Sequence, residues 1–262
     1  MAKPQVIFFG NGLLAESALA ILKQHCDILF HAHSVADLTE VVKQKRQHPD
    51  AFGVLASFGV IIRQDLLDLF EPTGIINIHP SLLPEYRGPS PIETAILDGA
   101  SEFGVSVMKL APKMDAGDIY FQTTLPNLPL DKAIIYQHLA VAGANWIVKN
   151  LPNLPTPVSQ DHSKATFTKK LDKTMSLLTP DTDTAEQTLR KIVAYQGYPK
   201  PKYSFFGQEC VILAAHEQKP NEKPILHLQC KDKNLVIDRL QPLGRRPMDA
   251  QGFLNGYAKN RS

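Results

Sequence analysis

The chain has 262 residues, 44% of them hydrophobic and 21% charged, with a formal net charge of +2. This balance excludes a disordered chain, and no apolar run is long enough for a membrane-spanning helix. Cys26, Cys210 and Cys230 are widely spaced and form no Cys-x-x-Cys pair, which excludes a disulfide framework and a structural zinc site. Domains usually hold roughly 100–200 residues, so one large domain or two unequal ones are expected. The apolar run after Met1-Ala2-Lys3-Pro4 is too short for a signal peptide, and a cytoplasmic location is expected. Charge is spread unevenly: residues 1–159 carry 11 Lys and Arg against 15 Asp and Glu, net −4, while residues 160–262 carry 17 against 11, net +6. The C-terminal part is the candidate for meeting an anionic partner, or else a solvated, lysine-rich face.

In chain order, residues 5–9 read as a buried strand that runs into Gly10-Asn11-Gly12. Residues 13–24 follow as a helix, with Leu14, Ala18, Ile21 and Leu22 at helical spacing. Residues 28–31 form a second strand, 36–47 a helix, 51–56 a third strand, 64–70 a short helix and 75–79 a fourth strand. Residues 91–97 (helix), 105–110 (strand) and 131–150 (helix, Asp131 as N-cap) complete the series. Strands alternating with helices predict an α/β domain with a doubly wound, mainly parallel sheet. The prolines of Leu151-Pro152-Asn153-Leu154-Pro155-Thr156-Pro157 end the last helix by removing backbone donors. The predicted division is a domain over 1–158, a linker over 159–176 and a smaller domain over 177–262. In the last, Asp183-Thr184-Ala185-Glu186 reads as a capping box that opens a helix to Tyr195, with Leu189, Ile192 and Val193 on one face and Gly197 as its stop. Short alternating runs at 210–214, 225–230 and 235–240 then predict a small β-rich domain, a barrel being the economical form.

Three constellations are candidates for chemistry. Gly10-Asn11-Gly12-Leu13-Leu14-Ala15 satisfies G-x-G-x-x-A between strand and helix, but the acid that a ribose requires is missing: His31-Ala32-His33-Ser34 stands in its place. The turn therefore reads either as a dinucleotide site or as a tight connection that needs small residues. The isolated His31-x-His33 lacks a third ligand, and no metal site is assigned. The dense segment is Asn77-Ile78-His79-Pro80-Ser81-Leu82-Leu83-Pro84, with Arg87-Gly88 following. Asn77 and His79 lie two apart on a strand and share a face. Pro80 leaves both at the carboxyl end, where open α/β sheets bind ligands. An amide that donates to an oxyanion beside an imidazole that handles a proton suits acyl transfer to an amine. A carboxylate from Lys113-Met114-Asp115-Ala116-Gly117-Asp118 could join them and order a water.

Together, Asn-x-His-x-Ser-Leu-Leu-Pro with Arg-Gly, then Gly104-Val105-Ser106-Val107-Met108, then Met-Asp-Ala-Gly-Asp, resemble the formyltransferases that use 10-formyltetrahydrofolate. The resemblance implies a Rossmann-like catalytic domain with Asn77, His79 and Asp115 as the catalytic trio. It also implies a folate site lined by Ser81, Leu82, Leu83 and Pro84 and by the apolar loop Ser57-Phe58-Gly59-Val60-Ile61-Ile62, chiefly Gly59, Val60 and Ile62. Leu189-Arg190-Lys191-Ile192-Val193-Ala194-Tyr195 and Leu240-Gln241-Pro242-Leu243-Gly244-Arg245-Arg246-Pro247-Met248-Asp249-Ala250-Gln251 resemble the C-terminal, OB-like barrel of members that formylate the free amino group of methionyl initiator tRNA. Initiator methionyl-tRNA and a small-molecule folate are thus the implied partners, with no metal and no membrane. The chain departs from that pattern in a compact 34–49 segment, where the family carries a longer basic loop toward the tRNA, and in Pro199-Lys200-Pro201-Lys202, where the family has a Pro-Gly turn. A relative that formylates a nucleotide-linked amino sugar shares the trio and is the alternative; a folate- or RNA-binding protein without catalysis and a Rossmann dehydrogenase are the remaining readings.

Overall fold

The structure is a computed structural model and describes residues 3–258. It comprises two compact units, Met1–Ile92 with Ser101–Lys169, and Glu93–Ala100 with Lys170–Ser262.

The first unit is built on a six-stranded sheet of order β2-β1-β3-β4-β5-β6. Strand β1 (Gln5–Gly10) leads into helix α1 (Gly12–His25), followed by β2 (Asp27–Ala32), α2 (Leu38–Gln47), β3 (Phe52–Ala56), α3 (Gln64–Asp68) and β4 (Ile75–His79). Helix α4 (Pro91–Asp98), most of which belongs to the second unit, precedes β5 (Glu102–Lys109), β6 (Ile119–Pro126) and α5 (Lys132–Asn150). β2, β1, β3 and β4 pair in parallel, while β5 is antiparallel to both β4 and β6. This is the expected doubly wound, mainly parallel sheet, with one reversed strand. β1 is apolar on both faces because both are covered. Ile7 and Phe9 pack with Val41, Leu66 and Phe70 from the α2 and α3 side, and α1 and α5 pack together on the other. Gly143 of α5 lies so close to β4 that a Cβ there would sit 2.8 Å from Ile78. Asp131 caps α5 by accepting from the amides of Ala133 and Ile134, as expected.

The compact 34–49 segment is held from within. A short 3-10 turn (Val35–Asp37) delays α2 to Leu38, two residues beyond the predicted start, because Asp37 accepts the amides of His33 and Ser34 and closes a capping box. Lys45 is buried, donates to the carbonyls of Pro49 and Ala51, and lies 4.9 Å over the Phe70 ring. That ammonium closes the α2–β3 connection, and burial holds its pKa below the usual lysine range.

The second unit carries α6 (Ala185–Ala194), β7 (Lys202–Phe205), β8 (Gln208–Glu217), β9 (His227–Gln229), β10 (Asn234–Pro242), β11 (Met248–Asp249) and α7 (Ala250–Tyr257). Its strands form one antiparallel sheet, β11-β10-β8-β7 with β9 also on β10, curled into a half-barrel. Two register shifts in β10 supply the bend. Ile192, Ile212, Leu228, Ile237 and Phe253 fill the core. All three cysteines are free and buried, and burial pushes the Cys210 thiol up to about 11.

Several expected boundaries are corrected. The capping box of α6 is Thr184 with Gln187, one residue later than Asp183 with Glu186. Asp183 instead accepts from Thr179 and pairs with Lys191 at 2.6 Å, so its carboxylate is turned away from the helix end. The strand expected over 225–230 shrinks to β9, since residues 218–226 form a loop tied by Gln218 and Lys219 to Glu222. β6, β7, β11 and α7 were not anticipated.

Candidate active site

β4 is central in the sheet, and its polar residues Asn77 and His79 are only 5% exposed each. Both line a cleft of about 400 Å³ at the carboxyl ends of β3 and β4. The residues after β3 form one wall, with Phe58 and Ile62 buried and Gly59 in a left-handed conformation (φ +70°). Leu110, Ala111, Pro112 and Met114, from the β5–β6 loop, form another. Tyr136, from α5, also lines the cleft and was not anticipated, since nothing in its local sequence separates it from other helix positions.

Asp115 reaches the site from the β5–β6 loop. Its backbone is left-handed (φ +49°), and a Cβ on nearby Gly117 would lie 1.9 Å from the Lys109 carbonyl oxygen, so only glycine lets the loop fold back. The Asp115 carboxylate is fixed through one oxygen and faces His79 with the other. Oδ2 accepts the Gly88 amide at 2.7 Å, and Oδ1 lies 3.7 Å from His79 Nδ1. The other ring nitrogen, Nε2, is 3.1 Å from the Tyr86 carbonyl oxygen, which can only accept. That contact places a proton on Nε2 and turns Nδ1 toward Asp115. The structure thus brings Asn77, His79 and Asp115 to one cleft, and with them Gly59, Val60 and Ile62.

Ser81, Leu82, Leu83 and Pro84 lie elsewhere. They are not among the residues that line the cleft, and they are pinned to β5. The buried Ser106 hydroxyl donates to the Ser81 carbonyl at 2.6 Å and accepts the Leu83 amide at 3.0 Å. Gln122 bonds both Ser106 and the Leu83 carbonyl, and Leu82 sits over Gly104, where a Cβ would meet it at 2.3 Å. The Ser81 hydroxyl is itself used by the Glu85 carbonyl.

The glycine turn is accounted for by packing. A Cβ on Gly10 would lie 1.9 Å from the Ala56 carbonyl oxygen, and the Asn11 side chain donates through Nδ2 to the His33 carbonyl. His31 bonds the Gly10 carbonyl, lies 3.7 Å ring to ring from His33, and is held below its usual pKa chiefly by burial. Among the described residues no three His, Cys, Asp or Glu side chains gather as a metal site, and no helix is long and apolar enough to cross a membrane.

An open α/β sheet with an amide, an imidazole and a carboxylate meeting over an apolar cleft is the framework of a group-transfer enzyme. The N-terminal family model described as "Formyl transferase" matches residues 15–151, and "Formyl transferase, C-terminal domain" matches 170–258. The chain is 36% identical over 243 residues to the methionyl-tRNA formyltransferase of Roseiflexus castenholzii, a match that covers 85% of this chain and 74% of that one. Its fold is similar to that of a methionyl-tRNA formyltransferase from Clostridium thermocellum (TM-score 0.68, 18% identity, 92% and 99% covered). It is also similar to HypX from Aquifex aeolicus, solved in complex with tetrahydrofolic acid (TM-score 0.76, 18% identity, 99% and 48% covered). The chain belongs to the formyl transferase family, and is a one-carbon transferase.

Proposed function

We propose that the chain transfers the formyl group of 10-formyltetrahydrofolate to the free α-amino group of methionyl initiator tRNA, with Asn77, His79 and Asp115 as its catalytic residues. The observation that carries this reading is the convergence of the three side chains on one cleft with an apolar wall. The acceptor is supported by the methionyl-tRNA formyltransferase at 36% identity and by the match of the C-terminal family domain.

The amine attacks the formyl carbon, the carbonyl oxygen gains negative charge, the bond from carbon to N10 breaks, and the proton lost by the amine ends on N10. Asn77 donates a hydrogen bond to the oxyanion from the rigid centre of the sheet, where no reorganisation is needed. His79 takes the amine proton on Nδ1, the nitrogen left free by Tyr86, and returns it to the leaving nitrogen. Asp115, fixed by Gly88, stabilises the imidazolium while the proton resides there. Residues 57–62 receive the folate ring system; Ile61, 75% exposed at the rim, is the side chain that a bound ring would cover. The resemblance assigns Ser81–Pro84 to the folate site as well, and their hydrogen bonds to Ser106 and Gln122 hold the turn after His79.

The test is formyl transfer measured by mass spectrometry on charged initiator tRNA beside a panel of nucleotide-linked amino sugars. Product on the tRNA alone is expected, and product on a sugar alone would move the assignment to that acceptor. Asn77→Ala and His79→Ala should each lower kcat by about 10²–10⁴ with the fold retained, and Asp115→Asn should lower it too. A variant with undiminished turnover removes that residue from the machinery.

A further inference from the structure

Residues 158–168, which run from the end of the expected first domain into the expected linker over 159–176, form a strap on the first unit. Val158 pairs with Ile119 through two backbone hydrogen bonds of 2.8 Å. Thr166 and Thr168 then bond the backbone of residues 84–90 from both sides, with Arg87 N–H donating to the Thr166 carbonyl and Thr168 N–H to the Arg87 carbonyl. Between these anchor points the strap sends one side chain inward. Gln160 is 7% exposed, and its amide is fully used. Nε2 donates to the carbonyls of Asp115 (2.9 Å) and Gly117 (2.6 Å), while Oε1 accepts from Nε (3.2 Å) and Nη2 (2.5 Å) of Arg87.

The orientation of this amide is dictated by its neighbours. A guanidinium only donates and a peptide carbonyl only accepts, so rotating the amide by half a turn would set donor against donor and acceptor against acceptor. Arg87 is held in turn, 1% exposed, with Nη2 2.8 Å from His162 Nδ1. The carbonyls gripped by Gln160 bracket Ala116 on the left-handed turn that aims the Asp115 carboxylate at Gly88 and His79. A left-handed non-glycine residue costs free energy and persists only where its surroundings over-determine it.

We propose that Gln160 is a positioning residue for Asp115: oriented by Arg87, it clamps the Asp115–Gly117 turn from the backbone side and so sets the carboxylate against His79. This rests on the reading of Asp115 given above. The test uses Gln160→Ala and Gln160→Glu in the full chain. Glu keeps an oxygen for Arg87 but has no donor for the two carbonyls, so both variants should behave alike.

Two readouts are combined. The Gly88 amide, whose acceptor is Asp115 Oδ2, should exchange its proton about tenfold faster in both variants, the loss of roughly one hydrogen bond, and approach the rate in Asp115→Ala while the rest of the sheet keeps its protection. kcat should fall on the order of 10²-fold, as expected for a reacting group displaced by about 1 Å. The double variant Gln160→Ala/Asp115→Ala should be no slower than Asp115→Ala alone. Unchanged Gly88 exchange, or losses of kcat that multiply in the double variant, would overturn the proposal. Full turnover in Asp115→Ala would sink the catalytic reading instead, and Gly88 exchange would still decide whether Gln160 holds the turn.

Discussion

His79 and His216 show how neighbours assign a role to the same side chain. His79 is buried at the end of a strand, with Tyr86 and Asp115 on its two nitrogens. His216, on β8, lies between Asp238 at 2.9 Å and Glu222 at 3.0 Å and is about one-third exposed. The hydrogen bond to Asp238, ahead of that to Glu222, raises the pKa of His216 above its usual 6.5. A folded-state pKa above the unfolded value means that the stabilisation is complete below about 6.5 and is lost as pH rises through the folded value. The melting temperature should therefore fall between pH 6 and pH 8.5, and the slope should flatten in His216→Gln. Equal slopes in calorimetric melts would assign the cluster to the solvated surface. Asn77 and His79 could be found by reading alone because two residues apart on a strand means one face. Gln160 could not, because its partners lie 43, 45 and 73 residues away.

At the scale of elements, buried strands and capped helices were legible and edges were not. β1 is an apolar run and β4 an alternating, β-branched one, both bounded by turn residues, and α5 opens on a capping aspartate. β6 and β7 are half-exposed and each ends the strand order of its sheet, so no burial pattern marks them. β11 has two residues and exists only because β10 lies beside it. The α6 boundary turned on which of two adjacent cap candidates had another use: Asp183 is taken by Lys191, and Thr184 exchanges hydrogen bonds with Gln187. Thr184→Ala should thus lower unfolding stability by about 1 kcal/mol in urea titration. Asp183→Ala should leave α6 capped; if it weakens the helix as much as Thr184→Ala, the assignment of the cap is wrong.

For the whole molecule, the +6 surplus of residues 160–262 can now be sorted by side chain. Arg245, Arg246 and Lys200 are exposed, whereas Lys202 is half-buried and bonded to Glu209 at 2.8 Å. If the surplus meets tRNA phosphates, neutralising each exposed residue should weaken binding and reduce the salt slope by roughly one, while Lys202→Gln should change it little. A slope unmoved by Arg245 and Arg246 would leave these charges to solubility.

The amino-acid order by itself determined the alternation that makes a parallel sheet, the pairing of Asn77 with His79, and the family, because each depends on spacing along a few neighbouring residues. Only the tertiary structure decided that Ser81–Pro84 contact β5 while residues 57–62 wall the cleft, and that Gln160, in the expected linker, hydrogen-bonds the Asp115 and Gly117 carbonyls. These outcomes depend on which buried donors and acceptors have no other partner once the chain has packed. Burial makes an unmet hydrogen bond costly, and which groups are buried together is a property of the fold.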